Sequence, residues 1–193
     1  MTRNKGIDIL ILAFLILRKK YSHLRLVLKD LSLLYNINAQ STIEALRHST
    51  FKEYFDEQYL SEIIFISKNL SLNELSNLYA AVDCYVSPYR AEGFNLTPLE
   101  AAACGTPILV TKGGATDEYF QASMGGQIEG EQINENDFTW IEPNIHSLIE
   151  KISMFIEGES TSYDFYQSLR IIQERFTWSA VIDQLLGEMK TEL

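Results

Sequence analysis

Hydrophobic residues in this chain fall into short continuous runs, and segments with helical spacing separate them. Four runs rich in β-branched and aromatic residues predict strands: Leu24–Leu28, Ile63–Ile66, Asp83–Ser87 and Ile108–Thr111. These runs are apolar on both faces rather than alternating, which is typical of a parallel sheet covered by helices on both sides.

Apolar residues at helical spacing predict helices between and after these strands. Strands and helices therefore alternate, which favours right-handed βαβ units and an open, doubly wound, Rossmann-like parallel sheet. Ligands of such a sheet bind beyond the carboxyl ends of its strands. The predicted helices are Ile7–Lys20, Thr42–His48, Leu72–Ala81, Pro98–Cys104, His146–Glu157, Ser160–Glu174 and Thr177–Lys190.

Length and charge restrict the classes of function. The 193 residues suit one α/β domain, and the formal net charge of −10 argues against binding to a nucleic-acid backbone. The most apolar run, Ile7–Leu17, contains Asp8 and is shorter than the roughly 20 residues that span a bilayer. It therefore predicts a buried helix and no transmembrane segment, and no signal peptide is recognisable.

The two cysteines, Cys84 and Cys104, both lie in apolar stretches. Their number and setting argue against a disulfide framework. A reducing, cytoplasmic location fits this use of cysteine.

Two loops follow strands at the predicted ligand edge, one starting at Pro88 and one at Lys112. In the first loop, Thr97 is a candidate N-cap, Pro98 occupies the first helical position, and Glu100 completes a capping box. A helix N-terminus presents unpaired N–H groups and a partial positive charge, which suit a diphosphate. Taken alone, this pattern favours a structural role, since most capped helices bind no ligand.

The sequence from Ser87 to Gly114 resembles the motif of GT-B glycosyltransferases in the large retaining family called group 1 or GT4. The match includes two glutamates eight positions apart, Glu92 and Glu100, and the runs Gly-Phe, Thr-Pro-Leu-Glu-Ala, Cys-Gly-Thr-Pro and Gly-Gly. Glu118 follows the last of these runs. The match is long enough that the resemblance outweighs the structural interpretation.

The resemblance continues outside this motif and implies a domain assignment. Lys5-Gly6 is similar to the entry to the first helix of the family's donor domain, and Phe176-Thr-Trp178 to the start of its closing helix, here 177–190. Residues 1–193 would then form the C-terminal nucleotide-sugar-binding domain, without the N-terminal acceptor domain. Residues 31–60 match nothing specific to the family, and 125–137 match only loosely.

The resemblance also implies roles for individual residues. Glu92 would contact hydroxyls of the donor sugar, and Lys5 would stabilise the leaving diphosphate. Glu100 would accept hydrogen bonds from both ribose hydroxyls, although the capping-box role competes for the same carboxylate. The structural alternatives for Glu92 and Lys5 are solvated surface side chains.

Backbone groups would make the other donor contacts. The sugar and its linkage would contact the amides of Gly93, Phe94 and Asn95. The diphosphate would contact the amides of Leu96 and Thr97 and the Thr97 hydroxyl. The base would contact the loop after the second strand, at Ser67 and Lys68. Gly113 and Gly114 fit either close approach to the donor or a plain turn.

The expected activity is metal-independent transfer from a UDP-sugar or GDP-sugar, because the sequence has no Asp-x-Asp pair and no Cys/His cluster at metal-binding spacing. No other cofactor is expected. None of the three histidines (His23, His48, His146) lies on a recognisable motif, so none is proposed as catalytic. The single domain is expected to bind the donor without completing the transfer.

Two alternatives remain open. One is a non-catalytic nucleotide-sugar-binding module, which the intact Glu92, Glu100 and Thr97 argue against. The other is a GT-B relative with a different reaction, such as a sugar-nucleotide epimerase; a phosphorylase would need a pyridoxal-bearing lysine segment, and none is recognisable. The full-length enzyme could also sit peripherally on the inner face of the membrane.

Apolar residues of the closing helix recur at helical spacing, at Trp178, Val181, Ile182 and Leu185. Without the partner domain, this face is expected to be packed on the domain's own sheet, left mobile, or buried in a homodimer.

Overall fold

The computed structural model describes residues 3–30, 39–49, 52–159 and 163–191. In order along the chain, the strands of this part are β1 (Leu26–Lys29), β2 (Ile63–Ile66), β3 (Tyr85–Ser87), β4 (Ile108–Thr111), β5 (Gly125–Ile128), β6 (Gly130–Glu135) and β7 (Phe138–Pro143). The helices are α1 (Ile7–Arg18), α2 (Ala39–Arg47), α3 (Leu72–Ala80), α4 (Leu96–Ala103), α5 (Ile145–Ile156), α6 (Phe165–Arg175) and α7 (Trp178–Thr191).

The strands confirm the predicted parallel α/β class. β1 pairs with β2, and β4 lies between β3 and β5, with every one of these pairs parallel. Within the described residues, the parallel strands form two hydrogen-bonded groups rather than one continuous sheet. The four predicted strands and seven predicted helices are present with ends shifted by a few residues; 160–162 of the predicted Ser160–Glu174 helix lie outside the described residues.

Three strands were not predicted: β5, β6 and β7. β5 begins with two glycines, which weaken a strand signal. Gly125 has φ 146°, and a Cβ there would lie 2.1 Å from the carbonyl oxygen of Ile108, so only glycine allows β5 to pair with β4. β6 and β7 form an antiparallel hairpin that is mostly exposed, so no apolar alternation marks it; Asn136, at φ 49°, forms its turn.

Helix α1 is the centre of the core, as its apolar sequence predicts. Seven of its twelve residues are buried, and they contact both groups of parallel strands. Ile11 and Phe14 belong to a cluster with β1 and β2, whereas Ala13 packs with Leu109 of β4. Burial of each large apolar side chain contributes about 1.5–3 kcal/mol, so α1 fixes the residues just before it relative to β3 and β4.

Both cysteines, Cys84 and Cys104, are free thiols. Burial raises the pKa of the Cys84 thiol to about 12, with a smaller contribution from Asp83. Cys84 is therefore neutral at physiological pH and acts as a small core residue. No helix in the described part of the chain is long and apolar enough to cross a membrane.

Candidate functional site

The loops that leave the carboxyl ends of β3 and β4 lie side by side, as parallel neighbours must. Tyr89 joins them: its buried hydroxyl lies 3.2 Å from the carbonyl oxygen of Thr111 and accepts a hydrogen bond from the Thr116 amide at 3.0 Å. A Cβ on Gly114 would lie 2.6 Å from that hydroxyl. This tight packing supports the turn interpretation for Gly114.

Lys5 and Glu92, the two predicted catalytic residues, contact each other. Nζ of Lys5 lies 2.5 Å from Oε1 of Glu92, and their side chains are 45% and 17% exposed. Gly6 makes this approach possible: it has φ 64°, and a Cβ there would lie 1.7 Å from the carbonyl oxygen of Pro88. The turn at residues 3–6, which precedes α1 and is called the Lys5 turn below, therefore packs directly on the loop that carries Glu92.

The predicted capping box at Thr97 is wrong. Helix α4 begins at Leu96, and the N-cap residue is Asn95, which has φ 61° and makes no side-chain cap hydrogen bond. Asn95 instead donates through its side-chain amide to Ser87 Oγ at 3.0 Å and accepts from the Tyr119 hydroxyl at 2.7 Å through its carbonyl. These buried bonds fix Asn95 in the left-handed conformation, which moves the helix start upstream of Thr97.

Two tyrosines of the core hold Thr97 and Glu100. The Tyr85 hydroxyl donates to Thr97 Oγ1 at 3.0 Å, and Thr97 in turn donates to Asn95 Oδ1 at 3.3 Å. The Tyr79 hydroxyl donates to Oε2 of Glu100 at 3.1 Å. Burial, together with nearby Tyr85 and Glu100, raises the pKa of Tyr79 well above its usual range, so Tyr79 stays a hydrogen-bond donor.

Glu100 is therefore exposed on α4 with one oxygen held by Tyr79, rather than turned back to cap the helix. The competing capping-box role is therefore removed, and the Tyr79 hydrogen bond uses Oε2 only. The first helical amides at Leu96 and Thr97 have no carbonyl four residues earlier within the helix to bond to, as at every helix N-terminus.

Ser67 and Lys68 follow β2 as predicted, but the Lys68 side chain turns toward α3. Its Nζ lies 3.0 Å from Oε1 of Glu74, which also forms a capping box with Ser71. The pKa of Glu74 is lowered to about 2, mainly by the backbone N–H of Ser71 and then by Lys68. A base contact in this loop would accordingly use backbone groups, as predicted, and stays a prediction.

Sequence reasoning missed Arg90, the most highly connected side chain of the site. It is buried, at 7% exposure, and its guanidinium bonds to the carboxylates of Asp8 and Glu142 at 2.7–2.8 Å. The available signal was Asp8, an acidic residue at the start of an otherwise apolar helix. Among the described residues there is no group of three or more His, Cys, Asp or Glu side chains suited to a metal ion.

Comparison with known proteins identifies the family. The family model for glycosyl transferases group 1 matches residues 1–170 of the 193. The chain belongs to this family. The match covers Lys5, Glu92, Thr97 and Glu100, so the motif residues lie within the part of the chain that the family model describes.

Individual relatives agree with this assignment. Mannosylfructose-phosphate synthase of Agrobacterium fabrum is 27% identical over 192 residues, which are 97% of this chain and 38% of that enzyme. The solved C-terminal domain of a group 1 glycosyl transferase family protein from Francisella tularensis matches with a TM-score of 0.65 at 21% identity, over 92% of this chain and 83% of that one.

HepE of Anabaena, solved in complex with UDP-glucose, matches all of this chain and 47% of its own, with a TM-score of 0.67 and 18% identity. These structural matches confirm that the chain has the Rossmann-like fold of a GT-B domain. The chain spans well under two thirds of the length of the curated relatives it matches.

Proposed function

We propose that this chain is the donor-binding domain of a retaining, metal-independent glycosyltransferase that uses a nucleoside diphosphate sugar, and that it needs an N-terminal acceptor domain to complete the transfer. The contact between Lys5 and Glu92 carries the proposal. The ammonium of Lys5 and the carboxylate of Glu92 lie together beside the loop that leads into the N-terminus of α4, which supports these roles.

The positive groups of the site suit a diphosphate leaving group. When the bond between the anomeric carbon and the phosphate oxygen breaks, the electron pair stays on the diphosphate, whose negative charge rises. The Lys5 ammonium and the first amides of α4 would stabilise that charge without a metal ion. This arrangement lowers the barrier only if the groups are already in place, and packing of Gly6 on Pro88 helps to fix Lys5.

The hydrogen bonds already present decide which groups of the α4 start are available. The Thr97 hydroxyl donates its proton to Asn95, so the proposed diphosphate contact uses the backbone amides of Leu96 and Thr97 first. Glu100 keeps Oε1 for ribose hydroxyls while Tyr79 holds Oε2. Glu92 would exchange Lys5 for a sugar hydroxyl when the donor binds, and the amides of Gly93, Phe94 and Asn95 would border the sugar.

Two domains are needed because the donor site is one wall of a cleft. Relatives such as mannosylfructose-phosphate synthase are more than twice as long as the matched region. HepE binds UDP-glucose in a chain of which this one covers 47%. The second half would supply the acceptor site and exclude water, so the domain by itself binds donor and releases it unchanged.

Calorimetric titration tests donor binding. UDP, GDP and UDP-glucose are titrated into the protein with EDTA, and then with Mg²⁺. We expect dissociation constants in the range of about 1 μM to 1 mM and the same affinity in both buffers. Glu150→Gln on the exposed face of α5 is a matched control that removes a carboxylate outside the proposed site. Absence of binding at millimolar nucleotide, or strict dependence on Mg²⁺, would refute the proposal.

Stereochemistry and the need for a second domain are tested with the full-length gene product. NMR of the glycoside that it forms assigns the anomeric configuration, and retention requires the same configuration as in the donor. The isolated domain is expected to form no glycoside under the same conditions. An inverted product would contradict the retaining mechanism, and transfer by the isolated domain would contradict the need for the partner domain.

A further inference from the structure

Arg90 connects the three segments that surround Lys5 and Glu92. Its Nη1 and Nη2 donate to the two oxygens of Asp8, both at 2.8 Å, and its Nε and Nη2 donate to the two oxygens of Glu142, both at 2.7 Å. Nη1 also donates to the carbonyl oxygen of Arg3 at 2.9 Å. All these bonds are charge-assisted, which makes them about twice as strong as neutral hydrogen bonds.

The backbone of Arg90 repeats the same connections. Its amide donates to the carbonyl oxygen of Asn4 at 2.6 Å, and its carbonyl accepts from the Ile141 amide at 3.0 Å. The turn before α1 is therefore bound to Arg90 twice, at Arg3 by the side chain and at Asn4 by the main chain, and β7 is bound in both ways as well. Lys5 directly follows Asn4, and Glu92 lies two residues after Arg90, so these bonds act close to both residues of the pair.

We propose that Arg90 is a positioning residue for the donor site, which sets the distance between Lys5 and Glu92 and holds the β6–β7 hairpin against that site. This inference rests on the proposed function for its consequence in donor binding, but the positioning itself is a property of the protein alone. No contact of Arg90 with donor is implied, because both carboxylates and the Arg3 carbonyl occupy its donors.

Arginine is required here because of the shape and charge of its guanidinium. A planar fork can bind two carboxylates at once, and lysine offers a single point charge that cannot bridge both in this geometry. Burial by itself would lower the pKa of Arg90, but the hydrogen bonds that it donates to Asp8 and Glu142 raise that pKa, so the guanidinium stays charged. Removal of the guanidinium would leave Asp8 and Glu142 as uncompensated carboxylates beside the Glu92 loop.

The test compares Arg90→Met and Arg90→Lys with the matched control Arg170→Met. Arg170 also pairs with a carboxylate, that of Glu174, but on the exposed face of α6. Hydrogen exchange is measured at the amides of Arg90 and Ile141, and affinity for UDP-glucose and UDP is measured well below the lowest melting temperature of the set. A merely structural role would lower the melting temperature without changing the affinity of the folded protein.

For Arg90→Met, we expect hydrogen exchange at both amides to rise about 10-fold relative to β4. We expect UDP-glucose affinity to fall by about 10-fold as well, because a small displacement of binding groups weakens binding. Arg90→Lys should give exchange rates and a UDP-glucose affinity between those of Arg90→Met and those of the native protein. If Arg90→Met does not fold, Asp8→Asn and Glu142→Gln give separate readouts, loosening the Lys5 turn and the hairpin respectively.

Exchange and affinity within twofold of the Arg170→Met control in the folded variants would overturn the positioning role. If the native protein binds no nucleotide, the proposed function fails, and the exchange data still decide whether Arg90 fixes the Lys5 turn and the hairpin.

Discussion

Nζ of Lys5 lies 2.5 Å from Oε1 of Glu92, so the cation proposed for the diphosphate and the carboxylate proposed for the sugar neutralise each other before the donor arrives. Binding of a sugar nucleotide would have to break this ion pair, so that Lys5 contacts the diphosphate and Glu92 contacts a sugar hydroxyl. A partly exposed ion pair contributes only about 0–1 kcal/mol to stability, so breaking it costs little.

The proposed roles predict that the two residues of the pair affect different ligands. Lys5→Met should weaken UDP and UDP-glucose alike, by about 1.5–3 kcal/mol for lost charged hydrogen bonds. Glu92→Gln should leave UDP affinity nearly unchanged and weaken UDP-glucose. Calorimetry of both ligands checks this, with Lys20→Met as the control, since Lys20 pairs with Glu157 and belongs to no part of the proposed site. Equal loss of UDP affinity in the two variants would contradict the assigned roles.

Glu100 should recognise ribose. Its carboxylate is held by Tyr79 and does not cap α4, so Glu100→Ala should weaken UDP by about 1–3 kcal/mol without the loss of stability expected for a lost cap. The advantage of UDP over 2′-deoxy-UDP should disappear in the variant. Calorimetry with both nucleotides measures this. If Glu100→Ala lowers the melting temperature but keeps the full preference for UDP, the ribose contact is wrong.

Tyr79→Phe should act on the same contact through Glu100. Loss of the hydroxyl frees the carboxylate to turn away, and we expect UDP to bind more weakly by about 0.5–1.5 kcal/mol. Tyr163→Phe is the control, because that tyrosine bonds to the Gly105 carbonyl rather than to Glu100. In the Glu100→Ala background, Tyr79→Phe should have no further effect on UDP affinity, and an additive loss would exclude this coupling.

Gly6→Ala should disrupt the approach of the Lys5 turn to the Pro88 loop. The added Cβ would lie 1.7 Å from the Pro88 carbonyl oxygen, so we expect the free energy of unfolding to fall by more than about 2 kcal/mol. Gly158→Ala is the matched control: Gly158 has φ 73°, but a Cβ there meets no atom within 4 Å. That change should cost only about 1–2 kcal/mol of backbone strain. Equal losses in urea denaturation would refute the clash.

The closing helix α7 should either self-associate or exchange rapidly. Trp178, Val181, Ile182 and Leu185 are between 43% and 84% exposed, so this face is not packed on the domain's own sheet. Sedimentation at several concentrations, and exchange mass spectrometry of 177–190, measure the two outcomes. Leu185→Lys should abolish any association. A strictly monomeric protein with a strongly protected α7 would show that this face needs no partner.

The sequence by itself determined the parallel α/β class and the loops that carry the group 1 motif, because continuous apolar runs and a dense motif are both local patterns of neighbouring residues. It identified Lys5, Glu92 and Glu100 as candidates, but it placed the start of α4 at Thr97. Only the tertiary structure decided that start, since buried bonds of Asn95 to Ser87 and Tyr119 outweigh the local capping preference of Thr97.

The tertiary structure also decided which residues meet. Lys5 reaches Glu92, and Arg90 joins Asp8 to Glu142, through contacts between segments far apart in the chain. The exposed β6–β7 hairpin likewise has no apolar alternation, and Arg90 bonds it to the loop that carries Glu92. Such pairings depend on how α1 packs over both groups of strands, and that packing is a property of the whole core rather than of any local pattern.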